Sequence, residues 1–208
     1  VYHDLSHMMI FAANHDTERI GSIVRGNVNR MKMITVLLTT LRGIPQTYYG
    51  DELMFLNTND RGDSAWRCEF GGGWEGDSDN LFTAEGRSSE QNELYDFNSR
   101  LWQWRKTAEA IHRGRTLHFL TRDNTYAYFR YIPTDDGESI EKAVFVFLNN
   151  STDDKPLPWS CFDFQNREIG AFIRSKGQDL RLFLKQNLCS LVIIGKRYFC
   201  FYQARRRI

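Results

Sequence analysis

No stretch of this chain approaches the run of about 18 consecutive apolar residues that a membrane-crossing helix needs, and no membrane partner is expected. The first residues lack a basic-then-apolar leader, and the chain begins at Val1 rather than Met. It is therefore expected to be a piece of something longer, whose targeting signal lies out of view. Cysteine is sparse: Cys68, Cys161, Cys189 and Cys200 are far apart, without a Cys-x-x-Cys pair or a histidine at zinc-finger spacing. Structural thiols are the expectation, with no metal and no cofactor. His3 and His7 sit four apart but lack the adjacent Glu of a zinc-protease helix. An excess of either charge is also missing. The balance of 27 basic to 26 acidic residues leaves +1, which gives no global field for nucleic acid or an anionic surface. The local run Arg205-Arg206-Arg207 reads as a solvated end.

What is there is enough apolar material for a core, 41% hydrophobic and 14% aromatic over 208 residues, in one large or two small domains. The organising stretch is Met9 to Arg19, where the apolar run Met9-Ile10-Phe11-Ala12-Ala13 stops at Asn14-His15-Asp16. A strand-length apolar run that ends in ionisable groups is how a buried parallel strand delivers reactive side chains to the rim of an α/β barrel. Taken alone, the same triplet also fits a helix cap or an Asx turn.

From Asn27 to Arg42, Val28, Met31, Ile34, Thr35, Leu38 and Leu41 recur at intervals of three and four, which predicts a largely buried helix ended by Gly43 and Pro45. Ile44 to Glu52 then reads as a β-rich run closing on acids, so strand, helix and strand make a βαβ unit. On that strand Tyr48 and Tyr49 should point to opposite sides. Residues 56–85 dissolve into Gly, Asp, Asn and Ser, a long loop of the kind that carries function. Gly71, Gly73 and Gly76 match a dinucleotide fingerprint, but no strand leads in, no helix follows, and Glu75, Asp77 and Asp79 would repel a pyrophosphate.

Ser88-Ser89-Glu90-Gln91 offers a capping box, and Leu94, Phe97, Leu101, Trp104, Ala108 and Ile111 extend one predicted helix to Gly114. Trp102 and Trp104 read as packing. Beyond Gly114 the period becomes two: Thr116 to Leu120, Tyr126 to Ile132, Ala143 to Leu148, Leu180 to Leu184 and Leu191 to Ile194 are expected strands of an antiparallel module. Asn149 and Asn150 each head a glycosylation triplet. Residues from Lys196 onward fit the module poorly.

With these segments in this order, the chain resembles the C-terminal part of an α-amylase superfamily enzyme, glycoside hydrolase family thirteen, and above all its neopullulanase and cyclomaltodextrinase branch. Phe11 to Arg19 resembles the family's fourth sequence region at the seventh barrel strand. Leu41 to Glu52 resembles the passage into the eighth strand. Asp63-Ser64-Ala65-Trp66-Arg67 with Phe70 to Asp77 is similar to the loop after it. Leu101 to Gly114 and Tyr126 to Arg130 resemble the last barrel helix entering the β-sandwich called domain C. The implied fold class is α/β plus all-β: the last two βα units of a TIM (β/α)8 barrel over residues 1–114, then a β-sandwich domain C over 115–208. A periplasmic or secreted location follows from the same resemblance.

The resemblance implies retaining hydrolysis or transglycosylation of an α-glucan, a maltodextrin or cyclodextrin, through a covalent glycosyl intermediate. That chemistry needs a nucleophilic carboxylate and a protonated acid about 5 Å apart, and groups that hold the distorted sugar more tightly as charge develops. Asp16 matches the transition-state-stabilising acid and His15 the imidazole that donates to the same sugar. Asp63 and Arg67 match an acid–base pair gripping a glucose further along. The family's nucleophile and proton donor belong to strands four and five, so the missing N-terminal part of the same barrel is an expected partner and the chain alone should not turn over. A complete barrel takes roughly 200 residues, and only about 85 precede the second predicted helix.

Other residues keep two readings at this level. Arg19 either orients Asp16 or the substrate, or pairs with Glu18 or Glu52. Trp66 and Trp74 either stack on sugar faces or pack the loop, with Trp74 expected to pack and Trp66 left open as a substrate contact. Asp51 and Glu52 would be a self-sufficient pair with Asp16 only if an apolar pocket raised one of them, and none is evident. A non-catalytic carbohydrate-binding module and an inactive, incomplete gene product are the alternatives.

Overall fold

The computed structural model describes residues 2–119, 121, 123–137 and 140–153, and beyond them the backbone of four short strands, 155–156, 183–184, 189–194 and 199–200. Leu120, residues 180–182, Cys161 and the arginine-ended tail 201–208 lie outside the described residues. The chain divides into two compact units, residues 1–39 with 43–107, and residues 40–42 with 108–208.

In the first unit β1 (Met9–Phe11) pairs in parallel with β2 (Ile44–Gln46). Between them run α1 (Ile20–Ile23) and α2 (Val28–Thr40), a crossover of the βαβ kind. The expectation of a buried strand is corrected. Met9, Phe11 and Ile44 are all exposed, because each strand has one neighbour and the described residues place no third strand beside the pair. Parallel sheets are ordinarily covered on both faces.

Helix α2 stops two residues short of the predicted Arg42. Its start is held by Asn27, whose Oδ1 accepts from the Arg30 N–H at 3.0 Å. Beyond its end Gly43 adopts φ +127, and a Cβ there would lie 2.7 Å from the Met8 carbonyl, so only glycine brings the chain back onto β1. Most of the helix is buried. The core of the unit joins Met31 to Ala13, Ile20, Val24 and Leu94. Lys32 is buried with its Nζ 2.6 Å from Glu93 Oε1 and 5.3 Å over the Phe97 ring.

Helix α3 (Ser89–Arg105) begins with the predicted capping box: Ser88 Oγ accepts from the Gln91 N–H, and Gln91 Oε1 accepts from the Ser88 N–H. The single helix expected as far as Gly114 is instead two. The Lys106 and Thr107 N–H groups reach back three residues, to Gln103 and Trp104, which tightens the last turn. Ala108 then leaves helical geometry at φ −83, ψ 77 before α4 (Glu109–Arg113).

The second unit holds a five-stranded antiparallel sheet in the order β3 (Arg115–His118), β4 (Thr125–Pro133), β5 (Ile140–Asn149), β8 (Cys189–Ile194), β9 (Phe199–Cys200). The separate pair β6 (Lys155–Pro156) and β7 (Phe183–Leu184) is also antiparallel. Phe129 and Phe145 face each other in register, ring centroids 4.5 Å apart, and with Tyr128 and Val146 lie at the centre of the core. Arg130 is buried among them, and its guanidinium donates to the carbonyls of Thr40, Ile111 and Gly114. These are the orphan acceptors at the ends of α2 and α4, where a cation is favoured. Asn149, a candidate glycosylation acceptor, is fully buried with its Nδ2 donating to the Asp153 carbonyl, so it offers no amide for a sugar.

Candidate active site

The turn after β1 is an Asx turn, and that is what presents the two ionisable residues. The Asp16 N–H donates to Asn14 Oδ1 at 2.9 Å, and the Asn14 N–H to Thr17 Oγ1 at 3.0 Å. With both flanks tied, His15 and Asp16 project outward, each side chain 63% exposed, with His15 Nε2 3.3 Å from Asp16 Oδ2. The Asx-turn reading of Asn14-His15-Asp16 thus holds, and the turn leaves both ionisable side chains accessible.

A short 3-10 turn, Gly62–Ala65, brings the distant loop to the same place. Asp63 and Arg67 lie one helical turn apart, and Arg67 Nη2 is 2.7 Å from Asp63 Oδ2 and 2.9 Å from Asp16 Oδ1. Arg67 Nε donates to the His15 carbonyl at 2.9 Å, and the Trp66 indole N–H donates to the same oxygen at 2.8 Å. Five of the sequence-predicted residues, His15, Asp16, Asp63, Trp66 and Arg67, thus share one patch. Exposed ion pairs of this kind contribute about 0 to 1 kcal/mol each, so stability alone is a weak reason for gathering them. A planar guanidinium that serves two carboxylates and a carbonyl fixes where those oxygens stand.

Arg19 does not join the patch. It is 0% exposed, which puts its side chain out of reach of a ligand. Its guanidinium lies 4.1 Å from the Tyr48 ring centre and 4.4 Å from that of Tyr49, donates to the Tyr49 carbonyl, and places Nη2 3.7 Å from Cys68 Sγ. Among the described residues it forms no ion pair with Glu18 or Glu52, so both readings made for it give way to a buried cation held by aromatic faces. The two tyrosines are corrected with it. β2 ends at Gln46, so strand alternation does not reach them, and both rings pack on one guanidinium.

Trp74 is 72% exposed, against the expectation that it plugs the loop. The loop holds itself with main-chain bonds instead: Asp77 Oδ2 accepts from the Gly72 N–H at 2.6 Å and the Trp74 N–H at 3.0 Å, and Arg87 donates to the Leu81 and Phe82 carbonyls. Asp77 also takes the N–H groups a phosphate would need, in keeping with rejection of the glycine fingerprint.

Asp51 corrects another expectation, because an apolar pocket that raises an acid does exist. Burial pushes its carboxyl up to about 6, against the Tyr48 N–H bond and the nearby Arg19 charge, with Glu52 adding to the rise. The residue is 8% exposed and faces helices α2 and α3, so it is no partner for a substrate beside Asp16. Nothing in the sequence pattern signalled Asn98, which faces the same pocket.

The model of the alpha amylase catalytic domain matches residues 2–126 of the chain. Cyclomaltodextrinases of Geobacillus thermopakistaniensis and Thermoanaerobacter pseudethanolicus are each 28% identical over 145 residues, which is 70% of this chain and 21% of theirs. The chain thus spans about a fifth of the length of these curated relatives. Among solved structures, the cyclic alpha-maltosyl-(1→6)-maltose hydrolase of Arthrobacter globiformis in complex with its cyclic saccharide overlays with TM-score 0.64 at 19% identity, covering 90% of this chain and 35% of that one. An alpha-amylase of Geobacillus thermoleovorans overlays with TM-score 0.61 at 16% identity, covering 92% and 40%. At such identities the likeness is one of fold.

Proposed function

We propose, for a chain that belongs to the alpha-amylase catalytic-domain family, that it forms the end of a retaining α-glucan hydrolase or transglycosylase acting on maltodextrins or cyclodextrins. Residues 1–114 make the last two βα units of its (β/α)8 barrel and residues 115–208 its domain C. The exposed apolar side chains of the β1–β2 pair suit a sheet that continues into further strands.

The observation that carries the reading is the Arg67 fork. Each oxygen of the Asp16 carboxylate has two lone pairs. Arg67 occupies one on Oδ1 and His15 stands against Oδ2, which leaves one on each for two hydroxyls of a sugar. As C1 flattens toward an oxocarbenium ion, a carboxylate held in that orientation accepts more strongly from those hydroxyls and lowers the barrier. His15 donates to the same ring. Asp63 and Trp66 flank it, and the nucleophile and proton donor come from the remainder of the barrel.

Two measurements test this. The isolated chain should release no reducing sugar from maltodextrin or β-cyclodextrin, and Asp16→Ala in the full-length parent should lower kcat by about a thousandfold or more. A parent that keeps its rate with Asp16→Ala sinks the assignment. The exposed Trp74 favours one other reading, a non-catalytic starch-binding module. Calorimetry with maltoheptaose separates the two, since a module that grips starch through Trp74 should lose its binding in Trp74→Ala and keep it in Asp16→Ala.

A further inference from the structure

Between α2, α3 and the turn Asp51–Leu53 lies a cavity of about 40 Å³, away from the Asp16 patch and lined by apolar side chains together with Thr35, Thr47, Asp51, Glu52 and Asn98. Two buried oxygens in its polar lining have no donor among the described residues. Asp51 is 8% and Asn98 6% exposed, and nothing among the described residues donates to Asp51 Oδ1 or Asn98 Oδ1. Thr35 has already committed its proton to the Met31 carbonyl at 3.1 Å, so its oxygen also has only lone pairs to turn toward the space.

Three acceptors around one small volume are costly to leave bare, and while water can hydrogen-bond to them it cannot balance the Asp51 charge. A cation meets all of them at once. At about 10–15 Å³ per water the space holds one ion with one or two waters. The donor set is hard oxygen with a single buried carboxylate, and among the described residues no three His, Cys, Asp or Glu gather to hold a metal. A dication draws on more carboxylates than this, whereas one positive charge balances Asp51. The charged neighbours are few: Glu52 on the same turn attracts a cation, Arg19 opposes it, and the cavity-facing residues of α2 and α3 carry no charge.

We propose that this cavity is a binding site for one monovalent alkali cation, ligated by the Asp51 carboxylate, the Asn98 amide oxygen and the Thr35 hydroxyl. The ion neutralises a buried acid whose other oxygen holds the Tyr48 N–H at 3.3 Å, and so steadies the tyrosine pair around Arg19. It stands or falls independently of the carbohydrate reading.

Melting of the whole chain at pH 8 and fixed ionic strength, in sodium, potassium or choline chloride, tests the site. One alkali salt should raise Tm by about 3 °C over choline at concentrations ten times Kd. The rise should vanish at pH 5, where a proton takes Asp51, and be lost in Asp51→Asn and in Asn98→Ala. Either variant suffices if the other fails to fold. Sodium-23 line broadening should follow the same pattern. Equal Tm in all three salts at pH 8, as for a cavity that holds only water, or an alkali effect that survives both substitutions, overturns the proposal.

Discussion

Arg67 ties Asp16, Asp63 and the His15 carbonyl together on one fork. A lysine keeps the charge but has no plane from which to serve three oxygens. On the proposed reading, Arg67→Lys in the full-length parent should therefore lower kcat by about tenfold or more while KM moves less, because Asp16 loses its orientation; steady-state kinetics on maltotriose checks this. A variant in which only KM rises would make Arg67 a sugar grip instead. At this scale the sequence, through its family resemblance, singled out His15, Asp16, Asp63 and Arg67, which lie together in one patch. It misled at Arg19, Tyr48 and Trp74, whose surroundings come from segments far along the chain.

The capping box at the start of α3 was readable because all of its atoms lie within four residues, Ser88 to Gln91. Ser88→Ala should cost about 1 kcal/mol, read as a shift in the urea midpoint with an unchanged slope. The break at Lys106 and Thr107 was not readable. The apolar spacing runs smoothly through Trp104, Ala108 and Ile111, and periodicity cannot see that the chain leaves helical geometry at Ala108 while returning to it at Glu109. Strand length was similarly hidden: β2 stops after three residues, whereas the β-forming composition continues to Tyr49.

Across the whole molecule, two acids give the pH dependence opposite arms. Asp51 has a folded value raised to about 6 above the ordinary 3.8. It binds a proton more readily when folded, so stability falls as pH rises from about 4 to 6, by up to about 3 kcal/mol in choline chloride. Glu109 is bonded to Lys142 and Arg113 and held down at about 2 from 4.5. Its contribution is present above about 4.5 and lost as pH falls toward 2, and being exposed it is small. Urea unfolding from pH 2.5 to 8 should show both arms. Asp51→Asn should flatten the upper one and Glu109→Gln the lower, and a profile unchanged by Asp51→Asn would contradict the burial argument.

The amino-acid order alone determined the parallel strand–helix–strand beginning and the change to period-two strands after Gly114, because each rests on spacing within a short window, whereas the residues proposed for the site came from the family resemblance. Only the tertiary structure decided which groups lie inside. The burial of Arg19 under two tyrosines 29 and 30 residues on, and the meeting of Asp51 with Asn98 across a cavity 47 residues on, depend on packing between distant segments, and no local pattern encodes the surroundings of a side chain at that range.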